Sequence, residues 1–269
     1  MTNIIEILMN RHKTFTTSIS LISFLLTLNF SSPQQLAQAA SPETAPANLK
    51  NLLTQIDTAS SRGDVKTVMQ YYSPQFTHGD GLNRQTMERA LRSFWQRYPR
   101  LRYNTRLKSW ESQGNAIIAE TVTTIIGLPS ANSNNLALNA TIVSRQRISG
   151  TKIISQEILS ERTQLTSGNK PPQVEIKLPQ QVKVGQKYYF DAIVQEPLGN
   201  DFLLGSAMEE TITPNRYLKP TSVDLKLLNA GGLFKTGQAP TKPGSKWISA
   251  VILRNGGMTM ITQRLRVVR

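Results

Sequence analysis

The hydrophobic period of this chain changes at Pro99, and that change constrains its fold more than any other feature. Upstream, apolar residues recur at helical spacing. Leu49, Leu52, Leu53 and Ile56 stand at i, i+3, i+4 and i+7, the stripe of an amphipathic helix. Arg62-Gly63-Asp64 closes it, and Asp64 is placed to cap a second helix striped by Val65, Val68, Met69 and Tyr72. Ser73-Pro74 ends that helix, and residues 76–81 read as a short extended or turn segment. A third helix is predicted over residues 84–98 with Asn83 as its cap. Met87, Leu91, Phe94, Trp95 and Tyr98 share one face of it. Pro99 stops it.

From Leu101 the period is two. Leu101, Tyr103, Thr105 and Leu107 point one way, while Arg100, Arg102, Arg106 and Lys108 point the other. Strand-like runs follow at 116–127, 136–148 and 153–165, with Ser149-Gly150 as a two-residue turn. Three helices followed by four long strands predict an α+β layer, helices on one face of an antiparallel sheet. Residues 167–172, Ser-Gly-Asn-Lys-Pro-Pro, read as a linker. Beyond it, residues 173–269 hold only short strands and turns, about seven strands in all, which predicts an all-β immunoglobulin-like sandwich.

The start of the chain reads as a secretory signal peptide, residues 1–40. Arg11, His12 and Lys13 precede an apolar run at 19–30, and Ala37-Gln38-Ala39-Ala40 offers a small-residue cleavage site near Ala39/Ala40. Translation from Met1 or from Met9 fits this pattern. The run is too short and too rich in Ser and Thr for a membrane span, which needs about 20 apolar residues. An uncleaved anchor is the competing reading. Cleavage predicts a secreted or periplasmic protein with no stable membrane span, opening on a mobile Pro/Ala-rich leader at 41–48.

There is no cysteine, so thiol chemistry, disulfides and thiolate metal sites are excluded. His78 is the only histidine beyond the leader, so a metal site built on several histidines is excluded within one chain, and neither metal nor cofactor is expected. Formal net charge is +14. Residues 41–166 carry 15 basic and 9 acidic side chains, and residues 167–269 carry 14 and 7. The excess is spread, not a tail. It favours an anionic partner, or simply keeps the chain soluble.

Residues 49–165 resemble the nuclear transport factor 2-like superfamily, which includes SnoaL-like polyketide cyclases and ketosteroid isomerases. The resemblance rests on the helix with Arg62-Gly63-Asp64, on the run from Val68 through Tyr71-Tyr72-Ser73-Pro74-Gln75-Phe76, and on Phe94-Trp95 ahead of four long strands. Exported two-domain versions of this kind are known chiefly from cyanobacteria. The resemblance implies a cone, three helices on a strongly curved sheet around an apolar cavity, at residues 49–166. Catalytic members keep an acid or base in that cavity, and dimers through the sheet are frequent among them. In the isomerases the acid/base pair is a Tyr on the first helix and an Asp just after the second. Here the first helix has no Tyr on its inner face, and Asp80 matches the Asp only loosely.

Three sets of residues are candidate sites. His78 and Asp80, two apart, suit acid/base work, or else form a polar turn held by Gly79 and Gly81. Glu120, among Ile118, Val122 and Ile126, reads as a carboxylate on an apolar wall or as a cross-strand partner for arginine. Gln146 shares the apolar face of Leu138, Ala140 and Ile142. Tyr72, Phe76, Trp95, Tyr98, Tyr103 and Trp110 read as pocket lining or as core. Residues 84–108 carry eight basic side chains and one acid, Glu88. Within them Arg89, Arg92, Arg100, Arg102, Arg106 and Lys108 form a candidate anion-binding ridge. The expectation is an exported, non-catalytic binding protein for a small apolar or anionic ligand in the cavity, or for an envelope polyanion on the ridge. Export argues against nucleic acid as that partner. The alternative is a SnoaL-like enzyme for isomerisation, dehydration or hydrolysis.

Overall fold

In the computed structural model, which describes residues 39–131, 135–219 and 221–269, local signals place the first elements. The signal-peptide pattern of residues 11–38 lies outside that description. Residues 42–44 form a 3-10 turn against which Trp110 packs, its indole N–H donating to Ser41 O and Thr44 Oγ1. Helix α1, Ala47–Ser61, buries Leu49, Leu52 and Leu53. Gly63, at φ +67, makes the left-handed turn into α2, Val65–Gln70. Asp64 caps α2 by accepting the Thr67 amide at 3.0 Å. Asn83 caps α3, Arg84–Arg97, in a reciprocal pair with Thr86. Between α2 and α3 runs β1, Tyr72–His78, where the sequence suggested the end of a helix and a turn.

Four long strands follow: β2, Leu101–Gln113; β3, Ala116–Gly127; β4, Ala137–Ser149; and β5, Lys152–Gly168. The later strands are β6, Val174–Lys177; β7, Gln181–Lys183; β8, Lys187–Val194; β9, Leu204–Thr211; and β10, Lys226–Leu227. The last three are β11, Gly232–Gln238; β12, Gly244–Arg254; and β13, Gly257–Val268.

The expectation of a three-helix α+β cone followed by a separate immunoglobulin-like sandwich is overturned. The described residues are mostly β, and ten of their thirteen strands join in one sheet in the order β10-β9-β12-β13-β5-β4-β3-β2, with β1 on β5 and β7 on β13. The join is β5. Its start pairs with β1 in parallel, and its end, Arg162 to Gly168, pairs antiparallel with β13. Ser167 and Gly168, read as linker, are part of that ladder. At Gly168, φ is +88, and a Cβ would stand 2.3 Å from the Gly256 carbonyl oxygen, so glycine is required. Alternation in sequence shows which face of a strand is buried and is silent on which strand lies beside it.

Two buried clusters sit on this sheet. One lies between the helices and strands β2 to β5, and includes Leu49, Phe76, Trp95, Ile125 and Ile153. The other lies between the three-stranded sheet β11-β8-β6 and strands β12 and β13, and includes Phe190, Ile248, Ile252 and Leu265. Among the described residues no helix is long and apolar enough to cross a membrane.

Candidate functional site

The helices do not close fully on the sheet. They leave a cavity of about 370 Å³, within the range of small-molecule sites. Its apolar wall comes from Leu53 and Ile56 of α1, Leu91 and Phe94 of α3, and Leu138 and Ala140 of β4. Tyr217, from the loop after β9, and Trp247 of β12 also border it, so both halves of the chain build it. Tyr72 and Tyr103 line it as well. Burial pushes the Tyr72 phenol up to about 12 and raises Tyr103 still further, so both stay neutral.

A buried ionic cluster stands at the Tyr217 side. Arg264, 2% exposed, donates to both Asp80 oxygens, Nη1 to Oδ1 at 2.9 Å and Nη2 to Oδ2 at 2.8 Å. The same guanidinium reaches Glu161 Oε2 through Nη2 at 3.1 Å and Nε at 3.3 Å. The Trp247 indole N–H donates to that oxygen at 3.0 Å, and the Tyr217 hydroxyl donates to Asp80 Oδ2. Burial alone would raise Asp80. The hydrogen bonds and charge of Arg264, with Tyr217 and His78, outweigh it and hold the carboxyl below its ordinary range. Burial likewise opposes the charge on Arg264, but Asp80 and Glu161 keep it firmly protonated. Burial and the same two carboxylates raise the Tyr217 phenol, which remains a donor.

His78 adjoins this cluster. The Asp80 amide donates to its Nδ1 at 3.1 Å. Nδ1 therefore holds the lone pair, and the ring proton sits on Nε2. Burial lowers the His78 pKa; Arg264 adds to that and Asp80 opposes it. The ring is thus neutral near pH 7, and its 3.7 Å approach to Asp80 Oδ2 is not an ion pair. Gln146 presents the opposite polarity. Its Oε1 is a buried acceptor with no hydrogen-bond partner, while its amide N–H reaches only Ser144 Oγ at 3.5 Å. Both residues border the cavity.

The remaining sequence candidates lie elsewhere. Glu120 faces the opposite side of β3, where it pairs with Lys108 at 2.7 Å and Arg145 at 3.7 Å. The inner face of β3 is Ala119, Thr121, Thr123 and Ile125; the bulkier Ile118, Val122 and Ile126 face outward, Ile126 being 47% exposed. Phe76 packs edge-on against Tyr72 at 4.7 Å, and Trp95 donates to the Tyr103 hydroxyl at 2.8 Å. Tyr98 stacks obliquely on Phe94, and Trp110 is held by the 3-10 turn. None of these four borders the cavity. Arg102, Arg106 and Lys108 lie exposed along the outer face of β2, as the strand period required, while Arg100 bonds Pro129 O. Arg89 and Arg92 are exposed on α3, Arg92 paired with Glu88.

Sequence reasoning did not single out Arg264, Glu161, Tyr217 or Trp247 as site residues. Arg264 stands 184 positions from Asp80, and no local pattern marks that pairing. Arg264 shares its face of β13 with Thr262 and Arg266, opposite the buried Ile261, Leu265 and Val267, so alternation gave no clue to its burial. Among the described residues no group of three or more His, Asp or Glu is placed to hold a metal ion.

The family described as a domain of unknown function (DUF8623) matches residues 169–268. No curated protein matches the chain. Among solved structures, Bd1075 from Bdellovibrio bacteriovorus is 14% identical over 41% of this chain, with a TM-score of 0.31. This chain spans 38% of that protein's length. An LEH-like epoxide hydrolase from M. tuberculosis is 13% identical over 41% of this chain and 80% of its own, with a TM-score of 0.30. Likenesses of this extent carry no argument about what the protein does.

Proposed function

We propose that this protein binds, without transforming, a small and mostly apolar molecule that carries one hydrogen-bond donor. The observation behind this reading is the orphaned Oε1 of Gln146 at the wall of a cavity lined mainly by apolar side chains. A buried acceptor left unpaired costs about 1–3 kcal/mol, and a bound donor would recover that cost. The candidate acid/base groups argue against catalysis. Asp80 is bidentate to Arg264 and accepts from Tyr217 as well. His78 has its lone pair engaged by a backbone amide. Glu120 is on the other side of the sheet, in ion pairs. None of these three is a free base facing the cavity, and the two carboxylates that border it are engaged, Asp57 by Thr105 and Glu161 by Arg264 and Trp247, which disfavours proton abstraction. The pattern of residues 11–40 supports export of this binding protein. N-terminal sequencing of the protein from the exported fraction should then begin near Ser41; a start at Met1 or Met9 overturns cleavage, and absence from that fraction overturns export.

N-phenyl-1-naphthylamine, neutral and apolar with a single N–H, is the probe of choice. Its fluorescence should rise on saturable one-to-one binding. Ala140→Leu, which narrows the cavity, should weaken the rise. Gln146→Leu should weaken binding roughly 3- to 10-fold, the worth of one hydrogen bond. Binding that survives Ala140→Leu unchanged places the probe elsewhere and sinks the reading.

A further inference from the structure

We infer a second, independent binding site: a basic groove outside the cavity that takes an acidic polysaccharide. Two concavities meet at Gly79 and Glu157, which border both. One, of about 370 Å³, is flanked by Arg145 and Arg147 of β4. The other, of about 1000 Å³, is flanked by Lys242, Lys246, Arg266 and Arg269. Together they make one continuous trough with six cations along it. Arg264 belongs to the buried cluster and is neutralised there.

The balance of charge in the trough favours an anion. Arg266 shares Glu157 at 3.3 Å, Lys246 pairs with Glu209, and Arg145 stands 3.7 Å from Glu120. Among the described residues no Asp or Glu side chain forms an ion pair with Arg147, Lys242 or Arg269, and Arg147 donates to the neutral Gln113 Oε1. These three cations are spaced through the trough, one toward the β4 end and two beyond Arg266. Spaced charge suits a polymer bearing one anionic group per repeat better than a single compact anion. Arginine forks match carboxylate geometry.

The uncharged lining selects among polyanions. Ser155, Gln156, Thr211 and Ser245 supply small donors and acceptors of the kind sugar hydroxyls use. At Gly244 a Cβ would meet nothing within 4 Å, so the trough is open there. Its border includes no Phe or Trp and no Tyr among the described residues. Single-stranded nucleic acids are held by stacking bases on such rings, so the trough is poorly equipped for them.

The test uses the full chain and a fluorescein-labelled alginate fragment, read by anisotropy at low salt. The variant Arg147→Ala/Lys242→Ala/Arg269→Ala should bind roughly tenfold more weakly. The control Lys187→Ala/Lys226→Ala/Lys235→Ala removes the same charge from exposed positions outside the trough and should stay within about twofold. Circular dichroism melts of both should match the parent protein. Equal weakening in the two variants means net charge alone and overturns the site. Absence of alginate binding overturns it too, and tighter binding of a single-stranded oligothymidylate assigns the trough to nucleic acid instead. Binding of N-phenyl-1-naphthylamine is the independent readout of the cavity, and the trough variant should leave it unchanged.

Discussion

On the two sides of the seam between β5 and β13, the same sheet is covered in different ways. Toward β2 the cover is three helices; toward β9 it is the small sheet β11-β8-β6. Beneath the helices, the buried residues include Ser60, Ser73, His78, Thr121, Ser144 and Gln146. Beneath the small sheet, the cluster is Tyr188, Phe190, Ile248, Ile252, Leu265 and their apolar neighbours. Two sheets in face-to-face contact interdigitate their side chains into a layer about 10 Å thick. Helices touch a sheet along stripes and can leave room between them, and here they leave a mainly apolar cavity with buried polar groups in its wall. One sheet therefore supports a packed half and a receptive half. Arg264, on the packed half's β13, reaches across to Asp80, next to β1, and to Glu161 on β5.

Arg264 is the place to break that arrangement with the largest effect. Arg264→Met leaves Asp80 and Glu161 buried without their cation. Loss of one partner of a buried pair costs about 3–5 kcal/mol. Urea unfolding of the parent should be a single transition, because both halves share a sheet. The variant should unfold at a much lower midpoint, with the cavity half losing its structure first. An unchanged midpoint would falsify the view that this cluster locks the halves together.

Small-to-large substitutions compare the two interiors directly. Ala250 is 1% exposed in the packed cluster, and Ala140 is 4% exposed at the cavity wall. Ala250→Leu should cost about 1–3 kcal/mol from overpacking. Ala140→Leu has somewhere to go, and should cost less than about 1 kcal/mol. Equal penalties in thermal melts would mean that the cavity has no room for three added carbons.

How far this contrast was legible in the sequence depended on range. The caps at Asp64 and Asn83 and the outward face of Arg102 and Arg106 follow from neighbours within four residues. β1 was hidden because Ser73-Pro74 reads as a stop; Pro74 is tolerated in β1 because it lies where the register with β5 shifts, between Tyr72 and Thr77. The inner face of β3 was hidden because both its faces are apolar. Bulk pointed to Ile118, Val122 and Ile126, whereas the concave side takes the smaller Ala119 and Thr121. The β5–β13 ladder and the Arg264 contacts join residues about a hundred or more positions apart, and periodicity carries no information at that range.

Gln146→Leu probes the receptive half with a change of opposite sign. In a packed interior, loss of a buried amide usually removes satisfied bonds. Here Oε1 has none to lose, and the Ser144 contact is long. The variant should be as stable as the parent, or up to about 1 kcal/mol more so, while binding its probe less well. Destabilisation on the scale of Ala250→Leu would show instead that the amide supports the wall.

The smallest effect is a dependence on pH confined to the cavity half. His78 has a folded pKa below its ordinary 6.5, so the unfolded chain takes up its proton first as pH falls. Stability should therefore decline from about pH 6.5 downward, to an extent set by His78. Asp80 acts in the same direction at lower pH. Its folded pKa lies below the ordinary 3.8, so its contribution is full above that value and is lost as pH falls through the folded pKa. His78→Asn keeps an acceptor for the Asp80 amide and removes the titrating ring. Urea midpoints of the variant should stay level between pH 7 and pH 5 (roughly the range in which histidine alone titrates), where the parent's decline. A parent that is already level there would mean that His78 is protonated as easily folded as unfolded, against the lowering by burial.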